Sequence, residues 1–157
     1  MARFGMTGLD ALVADMQKKG QHSGEVAMAM TAAAAQVIQE TWRESAQKHE
    51  LIDTGAMINS IGYPKGVQRI NDLYAVDIYP QGKDASGTRN ADKAFVLNYG
   101  TSKFKATYWI DEADQASEPR IVERLQNMWN GYLETGQVPS IPLRSSKGGK
   151  GTKTIKT

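Results

Sequence analysis

Ala27 to Trp42 reads AMAMTAAAAQVIQETW, and this stretch decides the fold class. Alanine gives up no side-chain entropy in a helix, and Met and Gln give up little. Val26, Met30, Ala33, Val37 and Thr41 recur at the spacing of one helical face. The pattern predicts a helix from about Glu25 to His49, with Ser23 as its cap. Trp42 supplies one large anchor near the far end. The short alanine side chains permit another helix or a sheet to approach closely.

Upstream, Leu9, Leu12, Val13 and Met16 predict a shorter amphipathic helix, closed by Lys18-Lys19-Gly20. Downstream, a turn or short helix through Asn59 leads to a loop around Gly62, Pro64 and Gly66. LYAVDIYP, residues 73–80, predicts one strand, with Tyr74, Val76 and Ile78 on one face and Ala75 and Asp77 on the other. QGKDASGTRNADK, residues 81–93, has the composition of an exposed loop. AFVLNYG is apolar and stops at Gly100-Thr101, and ATYWI, residues 106–110, predicts a further strand. A last helix is expected with Ser117 as cap and Pro119 in its first turn. Its apolar face is Ile121, Val122, Leu125, Met128, Trp129, Tyr132 and Leu133, and Gly136 and Pro139 end it. Helices, then a small, mainly antiparallel sheet, then a helix make an α+β fold. The long N-terminal and amphipathic C-terminal helices pack on the sheet. Residues 1–138 are expected to form one assembly domain and residues 139–157 an extended basic tail.

The chain has 157 residues, enough to bury one core, with 40% apolar and 23% charged residues. No apolar run approaches the roughly 18 residues that cross a bilayer, so no membrane contact is expected. The opening Met1-Ala2-Arg3-Phe4-Gly5 lacks the apolar core of a signal peptide, so none is expected. The absence of cysteine excludes disulfides, thiolate zinc sites and thiol nucleophiles.

LIDTGA, residues 51–56, has the local signature of a retroviral-type aspartic protease. That chemistry needs two carboxylates sharing a proton, and so a second Asp from a dimer mate. It also needs a mostly β body and an apolar-apolar-Gly element under the active loop. An Ala-rich helix precedes Asp53 instead, and LNYG, residues 97–100, puts Asn98 and Tyr99 where small residues would have to pack. The simpler reading is a turn in which Asp53 and Thr54 bond nearby amides and Gly55 permits the bend. His22 and His49 lack the spaced ligands of a metal site. SSKGGKGTKT fails the phosphate-loop pattern, because Lys150 is followed by Gly151 and no strand precedes it. No catalytic constellation, metal or cofactor is expected.

Charge is unevenly spread. Arg144, Lys147, Lys150, Lys153 and Lys156 recur every three residues with no acidic residue among them. Without these five, 14 basic residues face 17 acidic ones, so the body carries a net charge of about −3. Three-residue spacing lines cations along one side of an extended, polyproline-like chain. Such a strip suits a phosphate backbone or an acidic protein groove, with salt-dependent affinity. A solvated solubility tail is the bland alternative.

GLDAL near the start, DTGAMINSI after the long helix, and AFVLNYGTSKFKATYWIDEA further on together resemble the tail-completion or neck (head–tail joining) family of tailed bacteriophages. Members of that family read Gly-Leu-Asp-x-Leu, then Asp-Thr-Gly-x-Leu-x-x-Ser-Ile. A Tyr-Ala-x-x-Val-Glu-x-Gly-Thr stretch and Ala-x-Pro-Phe-Leu-x-Pro-Ala follow before the last helix. Asp53, Thr54, Gly55, Ser60 and Ile61 match the second motif, and Ala94, Val96, Gly100 and Thr101 the third, with Asn98 in the usual Glu position. Tyr108, Trp109 and Ile110 stand where the fourth has Pro-Phe-Leu, and Glu112 replaces its second proline. The resemblance covers roughly residues 8–134. It implies that Asp53, Thr54, Gly55, Ser60, Gly100 and Thr101 shape turns and that the chain is a non-enzymatic virion component. It further implies a homo-oligomeric ring of six copies between portal and tail that touches neighbouring neck and tail proteins. Host cytoplasm during assembly and the virion afterwards are the implied locations. The loop at residues 81–93 and the basic tail would reach neighbouring rings or the genomic DNA in the channel. A nucleic-acid-binding module that uses the tail is the alternative reading, and an aspartic protease a distant third.

Overall fold

The computed structural model describes residues 22–51 and 55–140. The helical pattern before Gly20, Asp53 and Thr54, and the five tail cations all lie outside them.

The Ala-rich stretch lies within helix α1, Ser23–Lys48. Ser23 does not cap it. The helix begins at Ser23, and His22 occupies the cap position without a side-chain bond. Val26, Ala33, Val37 and Thr41 are buried and Met30 half-buried. A second stripe, Ala32, Ala35, Gln39, Trp42 and Ala46, is buried beside it, so α1 is covered along two faces. The alanines make that double coverage possible.

Helix α2, Ala56–Ser60, follows, and then come strands β1, Ile61–Gly62, β2, Val67–Ile70, β3, Leu73–Val76, and β4, Tyr79–Pro80. Two small antiparallel ladders result. β1 pairs with β4 through Ile61↔Pro80 and Gly62↔Tyr79. β2 pairs with β3 from Val67↔Val76 to Ile70↔Leu73. Asn71 and Asp72 join the hairpin with φ of 50° and 63°, the left-handed pair that suits a two-residue turn between twisted strands. The single strand expected over residues 73–80 is therefore two strands. The chain changes ladder at Asp77-Ile78, and Ile78 leaves the hairpin to pack on the core.

Helix α3, Asn90–Tyr99, and helix α4, Trp109–Thr135, complete the fold. The first is built from the end of the expected loop and the apolar run after it. Its buried residues, Asn90, Ala94 and Asn98, recur every fourth position. The second begins eight residues before the expected cap. ATYWI is not a strand: Tyr108 adopts φ 53° and Trp109 opens the helix. The segment expected to precede the last helix is thus partly its first turn. Ser117 lies inside it, buried, and its hydroxyl donates to Asp114 O at 2.7 Å. Pro119 is carried within the helix.

Helices α1 and α4 run antiparallel. Trp129 and Tyr132 pack on Val26 at one end. Arg124 donates to Gln36 and Arg120 to Glu44 along the middle. Ser45 donates to Trp109 O at 2.6 Å at the other end. The main core gathers there, with Trp42, Ala46, Met57, Ile58, Ile61, Ala94, Trp109, Ile110 and Ala113. The Trp42 and Trp109 rings meet edge to face at 5.8 Å. A buried indole removes roughly 150–250 Å² from water, worth about 4–6 kcal/mol at 25 cal/mol per Å². The Trp42 Nε1–H also finds a partner, Asp114 Oδ1, at 2.7 Å. Gln39 Nε2 donates to Ile61 O at 2.7 Å and ties β1 to α1. Helix, sheet and helix form the α+β architecture that the pattern predicts.

Candidate interaction surface

Helix α3 and the segment that returns past it present the largest group of exposed aromatic side chains among the described residues. Ala94 and Asn98 face inward, with Leu97 half-buried beside them, because Trp109, Ile110 and Ile58 wait on that side. Helical periodicity then turns Phe95, Val96 and Tyr99 outward. Phe95 and Tyr99, one turn apart, stack with centroids 6.4 Å apart and planes within 3°. Tyr99 is 62% exposed, Phe104 62%, Tyr108 58% and Phe95 50%.

The turn that brings Phe104 back to this helix is built by Gly100 and Thr101. Gly100 has φ 74°, and a Cβ there would sit 2.6 Å from Ala106 N and 2.7 Å from Phe104 O. No other residue fits. Thr101 N donates to Phe104 O at 2.8 Å, and its Oγ1 accepts from Lys103 N and Phe104 N at 3.2 Å. Thr107 N then donates to Leu97 O and Tyr108 N to Asn98 O, which lays residues 104–108 against the end of α3.

Asn98, fully buried, joins this surface to the core. Its Oδ1 accepts from Ile110 N at 2.8 Å, and its Nδ2 donates to Asp111 Oδ2 at 2.9 Å. A residue on one helix thereby caps the next. Tyr108 supplies no side-chain cap of its own.

The other edge of α3 is held by the loop before it. Asp84 Oδ1 accepts from Ser86 N, Ser86 Oγ and Thr88 N, and Lys93 lies 3.7 Å from its other oxygen. The Ser86 hydroxyl does most to hold the Asp84 carboxyl below its ordinary range. Asn90 Nδ2 closes the loop onto Gln81 O at 2.7 Å.

The remaining sequence candidates fall elsewhere. Gly55, φ 76°, opens α2 and accepts from Asn59 N. Ser60 Oγ donates to Met57 O, and Ser60 O accepts from Gln81 N. These two residues shape the turn at the start of the sheet region, some way along the chain from Gly100 and Thr101. His22 lies 3.4 Å from Glu25. His49 meets Glu112 at 2.6 Å, and Lys48 pairs with the same carboxylate. Those two contacts, Lys48 foremost, lower the Glu112 pKa. Among the described residues no group of three His, Cys, Asp or Glu could hold a metal ion. No described helix is long and apolar enough to cross a membrane.

The geometry offers apolar contact area. Comparison with known families, curated proteins and solved structures finds no match to this chain. The exposed aromatics escape a sequence reading that leaves α3 unassigned. Had residues 90–99 been read as a helix, with Ala94, Leu97 and Asn98 as its inner face, Phe95 and Tyr99 would have stood out at i and i+4 on the outer one.

Proposed function

We propose that this chain is a structural protein of a tailed-phage virion, forming a ring in the neck that completes the tail and joins it to the head. The exposed aromatic face of α3 is the observation that carries the reading. Four aromatic rings at half exposure or more, each with 150–250 Å² of surface, offer on the order of 400–600 Å² for contact. That is roughly half to three quarters of the 800 Å² each partner contributes to a standard interface, and it lies at the upper end of the largest apolar patch a typical monomer exposes, a feature that is often functional. The resemblance supplies the setting. Gly55, Ser60, Gly100 and Thr101 have backbone-shaping roles, consistent with an assembly protein whose shared residues fix shape.

The test is assembly without the protein. Phage lacking it should accumulate filled heads and separate tails, and adding purified chain should restore joined, infectious particles. Normal joining in its absence contradicts the reading.

The basic tail favours a second reading, nucleic-acid binding. Five phosphate contacts would give a slope of log affinity against log salt of about −4.5 on duplex DNA. Salt-independent or undetectable binding by the free chain removes that reading and leaves the tail to a protein partner.

A further inference from the structure

We infer that copies of this chain associate head to tail, with the β2–β3 hairpin tip of one copy seated on the aromatic face of α3 of the next. The inference rests on the ring reading and specifies its contact.

Large apolar side chains left exposed among the described residues concentrate at two places. One is the α3 face with Phe104 and Tyr108. The other is the hairpin tip, where Leu73 is 71% and Ile70 51% exposed. Ile70 and Leu73 are cross-strand partners, so the two side chains form one small apolar knob on either side of the turn. Met28 and Val122, each a little over a third exposed, are the others.

The knob does not reach the face within one chain. The hairpin lies along α1 with its tip toward that helix's N-terminus, because the Tyr74 hydroxyl sits over Gly24, where a Cβ would lie 2.8 Å from it. Helix α3 packs at the other end, in the core around Trp42 and Ala46. At 1.5 Å per residue, Gly24 and Ala46 are roughly 30 Å apart along α1. Two different apolar surfaces at two ends of one molecule can meet reciprocally across a two-fold axis or head to tail from copy to copy, and the ring reading selects the second. Such a heterologous contact closes into a ring when its rotation permits.

Area and charge point to the same occupant. The face alone offers roughly half to three quarters of what one partner gives to a standard interface, while a two-residue knob buries too little to be an interface without a receiving surface. Asp72 stands between the knob residues with its side chain 87% exposed and pairs with Arg69 at the surface, an ion pair worth little. Lys103 and Lys105 are exposed on either side of Phe104. Seating the knob on the face brings Asp72 toward those cations.

The cysteine-free sequence makes the test direct. Full-length Leu73→Cys and Tyr99→Cys chains are mixed at concentrations where sedimentation of the wild type shows assembly, then joined with a short thiol cross-linker. The expected product is a 73–99 link between different chains, in clear excess over 73–73 and 99–99. The double variant should give a ladder of covalent oligomers. Ile70→Cys with Phe95→Cys serves as the second pair, and circular dichroism confirms folding of each. Phe95→Asp with Tyr99→Asp should weaken self-association roughly 30-fold or more, as loss of central aromatic anchors does. A dominant 99–99 link, a double variant that stops at a covalent dimer (a reciprocal two-fold pair), a link closed within one chain, or assembly without any 73–99 link overturns the inference. So does a wild type that stays monomeric at every concentration. None of these outcomes touches the head–tail joining experiment, which tests the neck reading separately.

Discussion

The Asn98 amide accepts from the Ile110 N–H at one end and donates to Asp111 at the other, and only an amide can do both. A Glu at this position would turn its carboxylate toward that of Asp111. Asn98→Leu strands a buried N–H and should cost about 1–3 kcal/mol in urea denaturation. Asn98→Asp should also destabilise, through repulsion from Asp111. Glu112 makes a different prediction. Its pKa is lowered from an ordinary value of 4.5, first by Lys48 and then by His49. Its contribution to stability is therefore present above that ordinary value and lost as pH falls through the lower folded one. Asp114 has the opposite sign, raised by partial burial despite the Trp42 bond. The difference between wild type and Glu112→Gln isolates the first effect. Thermal melts should show the two proteins converging as pH falls below about 4.5; a gap that persists at lower pH would contradict the assignment.

Helix α4 is the element where sequence and structure part most usefully. Ser117 and Pro119 have the chemistry of a helix start, yet the helix begins at Trp109, behind a Tyr108 that caps nothing. The true cap comes from α3, far off in local sequence, so no window around residue 109 contains the signal. Pro119 decides between the two boundaries. Inside a helix it removes the bond to Gln115 O, so Pro119→Ala should raise stability by about 2 kcal/mol, after allowing for unfolded-chain entropy. In a first turn the change would be near neutral. The Gly100 turn makes a second prediction at this scale. Gly100→Ala meets both the left-handed φ and the backbone of Ala106 and Phe104, and should cost about 3 kcal/mol or more. The melting temperatures of the two variants check both predictions. By contrast α1 was legible at once, because its evidence is entirely local: alanine propensity and a repeating apolar stripe. The β2–β3 hairpin was half legible. LYAV reads as a strand, but its partner VQRI lacks alternation strong enough to announce itself. The turn is Asn71-Asp72 rather than the stronger Asn-Gly or Asp-Gly.

Across the whole molecule, an antiparallel helix pair buries the two core clusters and leaves the aromatic face of α3 and the hairpin tip outside them. The α+β class was readable because period and composition carry it. The interaction surface was not, because it depends on which side of α3 the core occupies, a tertiary fact. Removing residues 143–157 deletes five cations and leaves every described element intact. That truncation should melt within a degree or two of the full chain while head–tail joining falls; unchanged joining would count against a role for the tail. The central claim is that this polypeptide acts by assembling with itself inside a particle. Averaged electron micrographs of finished phage, with the protein labelled, test it most directly. The account predicts a closed ring of six copies at the head–tail junction, and particles that lack the protein, or carry it as isolated single copies, would contradict it.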